Sequence, residues 1–373
     1  MLWSDNIDAI DCLIMICWFL WIASACIQLY FYLYYFFPFA LFVKPATPKK
    51  PEAVSLIIAV KNEAENLQVN LPLWLQQEQV EFELIIVNDH SNDQTQSVLE
   101  NCKDERLQVF QLLNGNGKKA AIQLGISKAR YNQLVFTDAD CIPASNEWLA
   151  TMAQNFSNEK QIVLGHSGFI REKSFFNLLQ RFENLMVAAQ YFSFTLKGNA
   201  YMGVGRNLAY SKTIFEKSTV FGTHDKIKSG DDDLLVNEMA TAKNVAIEWS
   251  KNGQTRSKAN KKWLTYIRQK RRQLQAGEHY KLKHKAQLAA FGSSTLLFNS
   301  ITLILLYLSE NLGFILMTFG LALVLKSLII NKISIKLGEG SFFLRFWWLE
   351  FVLIINQTII GISTWIWRVK RWK

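Results

Sequence analysis

Two blocks of apolar sequence enclose a polar middle, and they constrain this chain more than any other feature. From Cys12 to Val43 the sequence is nearly uncharged and rich in Leu, Ile, Phe, Tyr and Trp. About 20 apolar residues cross the hydrocarbon core of a bilayer. Residues 1–44 therefore read as one transmembrane helix with an interfacial aromatic end. Three more apolar stretches, near Ala286–Leu308, Leu312–Ile330 and Phe343–Trp367, make residues 286–373 a C-terminal membrane region of about three helices. A signal peptide would start basic and carry a shorter apolar core, whereas this start holds Asp5, Asp8 and Asp11. Lys44, Lys49 and Lys50 follow the first stretch, so the positive-inside rule puts the N-terminus outside and the middle of the chain in the cytoplasm. Pro45, Pro48 and Pro51 stiffen a linker at 45–53. Four spans from an outside start put the C-terminus outside, yet Arg368, Lys370, Arg371 and Lys373 argue for inside. Either the last stretch is not a simple span or the tail departs from the rule. That last stretch contains Arg345, Glu350, Asn356 and Gln357, and polar groups inside a membrane face protein or a functional cavity.

The middle, residues 54–250, alternates short apolar runs with helical ones. Strands are expected at Val54–Val60, Phe82–Val87, Leu107–Leu112 and Gln133–Thr137, and helices at Glu63–Gln77, Gln94–Asn101 and Lys118–Lys128. Strand, helix, strand at this spacing means an α/β domain with a mostly parallel sheet covered on both faces. Ser174–Leu196 carries large apolar groups, with Arg181 and Glu183 its charged residues, and suits a long helix on the sheet or at a membrane surface. Residues 251–285 then hold twelve basic residues against Glu278, interleaved with Trp263, Tyr266, Ile267 and Leu274. This pattern fits a solvated basic face or a basic amphipathic segment on an anionic leaflet. The net charge of +10 favours anionic partners in general. The five cysteines form no C-x-x-C pair and no spaced framework, which supports neither a disulfide scaffold nor a zinc site.

Within this middle, carboxylates collect at strand ends. Leu134–Phe136 runs into Asp138 and Asp140, which share a side if strand geometry continues through them. Two hard oxygen ligands at the carboxyl end of a strand suit Mg²⁺ or Mn²⁺, with waters and phosphate oxygens completing the shell. A lone D-x-D is more often a solvated acidic loop, so the rest of the chain decides. Asp89 also ends a strand, and Glu63 follows the first one. Gly115-Asn116-Gly117-Lys118-Lys119 opens a helix with free backbone N–H groups and a positive charge. It is not a P-loop, since Leu112 stands where the first glycine belongs. Gly203-Val204-Gly205-Arg206-Asn207 is not a dinucleotide fingerprint, because the third glycine is missing. No spacing groups His90, His166 and His224 as ligands.

Six motifs, taken together, resemble the family-2 inverting glycosyltransferases, whose membrane branch includes cellulose, chitin and hyaluronan synthases. They are Val60-Lys61-Asn62-Glu63, Asn88-Asp89-His90-Ser91-Asn92-Asp93-Gln94-Thr95, Gly117-Lys118-Lys119-Ala120-Ala121, Thr137-Asp138-Ala139-Asp140, Gly230-Asp231-Asp232 and Gln269-Lys270-Arg271-Arg272. The resemblance covers about Val54 to Gly277 and implies the GT-A fold. It also implies roles. Asp89 would bind a nucleotide base, with Glu63 shaping that pocket and Lys118 nearby. Asp138 would contact the nucleotide and share the metal, Mg²⁺ or Mn²⁺, with Asp140. Asp232 would be the general base, with Asp231 beside it, and His224 could close over the donor. Gln269 and Arg272 align with the Q-x-x-R-W motif of the diphosphate and acceptor region. The family Trp of that motif is Gln273 here, and Trp263 is a candidate substitute.

The implied reaction moves a sugar from a UDP-sugar to a lipid-linked or glycan acceptor, with inversion, at the cytoplasmic face of a bacterial inner membrane. A cation would neutralise charge building on the diphosphate, Arg272 could contact a phosphate, and a carboxylate would take the acceptor proton. About four helices suit transfer of one or a few sugars, and a processive polysaccharide synthase is the alternative. A non-catalytic scaffold on membrane lipids is a third reading. Nucleic acid is not an expected partner, because five carboxylates at one cleft repel phosphate unless a metal is present.

Overall fold

The computed structural model describes residues 4–44, 50–220, 231–309 and 311–366. Pro45, Pro48 and Lys49 of the linker, His224, Gly230 of the acidic motif, and the basic tail from Arg368 lie outside the described residues. The chain enters through α1 (Ser4–Tyr30), which widens into a π-helical turn at Phe31–Phe36 and resumes as α2 (Phe37–Leu41). Pro38 stands where a helix start tolerates it.

The first half of the middle domain is a strand–helix alternation: β1 (Val54–Val60), α3 (Ala64–Leu75), β2 (Phe82–Asn88), α4 (Thr95–Asn101), β3 (Leu107–Gln111), α5 (Lys118–Lys128) and β4 (Gln133–Phe136). β2 and β4 are buried along their whole length, and β1 almost so. That is why they read as unbroken apolar runs, as strands covered on both faces do. Next come β5 (Ile142–Pro143), α6 (Trp148–Ala153), β6 (Ile162–Gly165), β7 (Ser167–Phe169) and α7 (Phe175–Leu196), whose Ser174 side chain caps the helix by accepting from the Asn177 N–H. β8 (Leu208–Ser211), α8 (Lys212–Lys217), α9 (Asp231–Met239), β9 (Val245–Glu248) and β10 (Thr255–Ser257) complete the domain.

Seven strands form one sheet in the order β3-β2-β1-β4-β8-β6-β9. β8 alone runs antiparallel to its neighbours. A second sheet, β5-β10-β7, stands beside it. One core, with Leu67, Trp74 and Trp148, packs α3 and α6 on one face of the large sheet; the other, with Ile122, Phe182 and Phe192, joins α5 and α7 to the flanking apolar helices.

The fold divides the basic stretch 251–285. Thr255–Ser257 is a strand of the second sheet, Trp263–Gly277 is helix α10, and Leu282 begins α11 (Leu282–Leu308). α10 is tied down by Glu183 of α7, which receives Tyr266 Oη at 2.9 Å and pairs with Lys270 Nζ at 2.9 Å. α12 (Leu312–Lys336) and α13 (Phe346–Ile366) follow, the latter after a 3₁₀ turn at Phe343–Arg345. Among the described residues, four helical segments are long and apolar enough to cross a membrane: Ile10–Leu41, Leu282–Leu308, Leu312–Lys336 and Phe343–Thr364. Of the polar groups expected in the last stretch, Glu350 and Asn356 are buried against protein, whereas Arg345 and Gln357 are exposed. Lys326 of α12 pairs with Glu350 of α13 at 2.6 Å, and Asn356 donates to Tyr266 Oη.

Candidate active site

The site is built at the carboxyl ends of β1, β2 and β4. The chain leaves β1 and β2 through Asn62 and His90, both in left-handed backbone (φ 55° and 54°). Non-glycine residues adopt that region rarely, and it gathers at functional loops. The two turns lock together: Asn62 N–H donates to Ser91 Oγ at 2.9 Å and Asn92 N–H to Asn62 Oδ1 at 2.9 Å. Asp89 ends this arrangement. It is 1% exposed and accepts from Gly117 N–H at 3.0 Å and Lys61 Nζ at 3.3 Å. Asp89 thus braces the start of α5, where Gly117 takes a φ of 92° that favours glycine. Glu63 stands just before α3, its carboxylate accepting from the Asn66 side chain, Nδ2, at 2.7 Å.

Strand geometry does not continue through the D-x-D. β4 stops at Phe136, and Cys141 N–H donates back to Asp138 O at 3.0 Å, so Asp138 and Asp140 sit on a turn. The physical reason is the neighbouring chain: Thr137 Oγ1 donates to Arg206 O at 2.9 Å, which pulls the backbone out of the β4–β8 ladder. The turn leaves Asp138 half-buried and Asp140 with only part of its surface open to water. Partial withdrawal from water raises the Asp140 carboxyl above the ordinary aspartate value, and the charges of Asp138 and Glu63 add to this, while Arg206 opposes it. Three carboxylates therefore share one field and favour a cation there. Among the described residues no group of three His, Cys, Asp or Glu side chains converges as a closed metal site. Two aspartates on a turn fit a hard divalent ion that draws its other ligands from a diphosphate and water, and such an ion would neutralise charge on the departing diphosphate.

Lys118 and Asp232 close the cleft. Lys118 Nζ donates to Asp138 Oδ1 at 2.5 Å, so the two expected nucleotide contacts pair with each other. Asp232, in the first turn of α9, accepts from Gly205 N–H at 2.5 Å, and the helix N-terminus favours its negative charge. A Cβ on Gly205 would fall 2.6 Å from Asp232 Oδ2 and 3.4 Å from Lys118 Nζ. Gly205 is thus glycine because three chains meet there. Lys118, Thr137, Gly205 and Asp232 line one narrow cleft with Phe136 and Tyr210. Asp231 begins α9, and Asp233 is buried beside Tyr201 and Tyr280, whose hydroxyls are raised by burial and then by its charge.

Gln269 and Arg272 stand apart from this cluster. Gln269 Oε1 accepts from Asn260 Nδ2 at 2.6 Å, and burial lowers the half-buried Arg272 guanidinium from its usual value. Among the described residues no hydrogen bond or ion pair joins either one to Asp138, Asp140 or Asp232. Gln273 is exposed, and Trp263 packs on Phe176 and Tyr266 with ring centroids 4.9 and 5.4 Å away. Sequence reasoning passed over Arg206. Its guanidinium donates to Ser257 Oγ at 2.8 Å and Asn184 Oδ1 at 2.9 Å, lies 4.6 Å over the Phe169 ring, and acts on Asp140. Its signal was an arginine inside Gly203–Asn207, a motif set aside once it failed the dinucleotide pattern.

Comparison with known proteins agrees with this geometry. Residues 55–219 match a family model described as Glycosyl transferase family 2. The chain is 25% identical over 217 residues to the poly-beta-1,6-N-acetyl-D-glucosamine synthase of Staphylococcus aureus (strain COL), covering 56% of this chain and 50% of that protein. It is 26% identical over 216 residues to the synthase of the same description from Staphylococcus epidermidis, covering 56% and 51%. The chain spans about half the length of the curated relatives it matches. Among solved structures it is similar to a mannosyltransferase, PcManGT from Pyrobaculum calidifontis in complex with GDP-Man and Mn²⁺, with a TM-score of 0.58 and 16% identity over 87% of this chain and 98% of that one. At that identity the likeness speaks for the fold, which is GT-A.

Proposed function

Because residues 55–219 match the Glycosyl transferase family 2 model, we propose that the chain transfers a sugar from a UDP-sugar to a lipid-linked or glycan acceptor, assisted by Mg²⁺ or Mn²⁺ and with inversion. The observation that carries this reading is the meeting of Lys118, Asp138 and Asp232 around Gly205, with Asp140 and Arg206 alongside. Asp232 takes the proton of the acceptor hydroxyl as it attacks the anomeric carbon. Asp138 and Asp140 hold the cation, while Lys118 and Arg206 face the oxygens of the departing diphosphate. Asp89 and Glu63 shape the nucleotide end, and Gln269, Arg272 and Asp231 belong to the acceptor side. One displacement from the far face turns an α-linked donor into a β-linked product.

The domain works at the cytoplasmic face of a bacterial inner membrane, where the exposed Lys261, Lys262 and Arg268, just before and on α10, face anionic lipid. Four candidate spans favour transfer of one or a few sugars. The relatives named as poly-N-acetylglucosamine synthases favour a second reading, processive polymer synthesis. Detergent-purified protein with Mn²⁺, offered UDP-N-acetylglucosamine, UDP-glucose and GDP-mannose in parallel, tests both. Metal-dependent release of a nucleoside diphosphate from one donor is expected, and product length separates the two readings. Equal or absent release from all donors, with and without metal, would refute the proposal.

A further inference from the structure

The loop 337–342, which joins α12 to the turn before α13, sends one side chain out of the membrane helices and into the transferase domain. Glu339 stands between Gly338 and Gly340, both in left-handed backbone (φ 70° and 80°), and is 4% exposed. Arg181 of α7 donates to its Oε2 at 3.0 Å through Nη2 and to its backbone oxygen at 2.6 Å. Arg256 of β10 donates to Oε1 at 3.0 Å, and His166 Nε2 lies 3.3 Å from the same oxygen. Gly168 of β7 makes the room: a Cβ there would fall 2.3 Å from Glu339 Oε1 and 2.7 Å from Arg256 Nη1. Burial alone would raise this carboxyl, but the hydrogen bond and charge of His166, with the charges of Arg256 and Arg181, hold it at about 2. It is an ionised carboxylate held by two guanidiniums from separate elements, Arg181 of α7 and Arg256 of β10, with His166, whose pKa burial lowers, beside it.

β10 carries this cluster to the site. Alternate strand residues face opposite sides, so Arg256 meets the membrane loop while the buried Thr255 and Ser257 face Arg206. Thr255 Oγ1 donates to Arg206 O at 2.9 Å, and Ser257 Oγ accepts from Arg206 Nη1 at 2.8 Å. The same Arg206 oxygen accepts from Thr137, the residue before Asp138. The sheet that transmits this is slight, since β5, β7 and β10 have two, three and three residues. Strands this short have few ladder bonds and need outside support.

We propose that Glu339 is a positioning residue: docked against Arg181, Arg256 and His166, it holds β10, and through β10 it holds Arg206 against the Asp138–Asp140 turn. The membrane hairpin thereby sets the geometry at the diphosphate end of the cleft. The kinetic part of this inference rests on the glycosyltransferase reading above; the docking part does not.

The test uses the full chain in detergent with UDP-N-acetylglucosamine, or whichever donor the screen selects, and Mn²⁺. Glu339→Gln, Arg206→Lys and the double variant are compared by hydrogen exchange and by kcat and KM. In Glu339→Gln, amide exchange should rise about tenfold at 205–207 and 255–257 and stay at the parent level at 54–60 and 82–88. A buried pair that loses one partner leaves cations uncompensated. Turnover should fall about tenfold in each single variant with donor KM within about twofold. The double variant should be about as slow as the slower single one, because both changes disturb one element. Losses that multiply to about a hundredfold, or unchanged exchange at 205–207, would overturn the proposal. Should Glu339→Gln fail to fold, Arg256→Gln removes one partner of three and carries the same comparison. If the parent transfers no sugar from any donor, the proposed function falls, and exchange alone decides the docking.

Discussion

Gly205→Ala isolates the placement of Asp232, the proposed general base, from everything else in the site. The new methyl would begin 2.6 Å from Asp232 Oδ2, where ordinary contact needs 3.4–4 Å. The carboxylate sits at the end of a flexible side chain, so it retreats by about 1 Å rather than unfolding its surroundings; misplacement on that scale costs about a hundredfold in rate, or roughly 2.7 kcal/mol of barrier. Lys118 Nζ lies 3.4 Å from the same methyl position, an ordinary contact, so it need not move and keeps its ion pair with Asp138. Donor affinity should therefore survive. Gly203→Ala is the control: its methyl would meet Leu208, Val236 and Leu164 at 2.9 to 3.2 Å in the apolar core. That overpacking should cost about 1–3 kcal/mol of stability and leave the turnover of the folded protein near that of the parent. The assay pairs kcat at saturating donor with calorimetric binding of the Mn²⁺–UDP complex and a thermal melt. A Gly205→Ala enzyme within twofold of the parent, or a Gly203→Ala enzyme equally slow, would refute the placement of Asp232.

Asp232→Asn should bind donor and metal nearly as the parent does while transfer falls by a factor of about 10² to 10⁴; Asp231→Asn proving the slower enzyme would move the base. Asp138→Asn and Asp140→Asn should each weaken Mn²⁺–UDP binding by about tenfold or more, since each removes a charge from the ion's surroundings, and calorimetry showing parent affinity in both would end the metal assignment. The raised Asp140 carboxyl also has a sign that can be checked. A folded-state value above the unfolded one means that ionising Asp140 weakens the fold as pH rises through that range. Metal-free Asp140→Asn should therefore melt higher than the parent at neutral pH, and a lower melting temperature would contradict this. For the same reason parent Mn²⁺ affinity should start to fall, on acidification, at a pH above the ordinary aspartate value of 3.8; affinity that holds steady down to that value would contradict it.

Local patterns carried a large part of this molecule. β1 begins and ends where its apolar run does, and α5 runs from Lys118 to Lys128 as its helical signals indicate. Ser174 announced the start of α7, and the four apolar stretches became four long helices. These features depend on backbone preference and on which faces are buried, and a few neighbouring residues encode both. β5, β7 and β10 were not legible, because two or three residues hold no period. Asp232 was legible as a motif but not as a neighbour of Gly205, which stands 27 positions away in sequence. Glu339 gave no local sign at all, and Arg206 only its place inside Gly203–Asn207. Glu339 acquires its meaning from Arg181 and Arg256, which stand 158 and 83 positions before it. A hydrogen bond or ion pair needs its partners within about 3 Å, and only the packing of the whole chain brings such distant groups that close. Local sequence carried the first four strands, the helices between them, the long apolar helices and the carboxylates; tertiary packing decided which carboxylate faces the cleft, which sits on a turn, and which one ties the flanking apolar helices to the site.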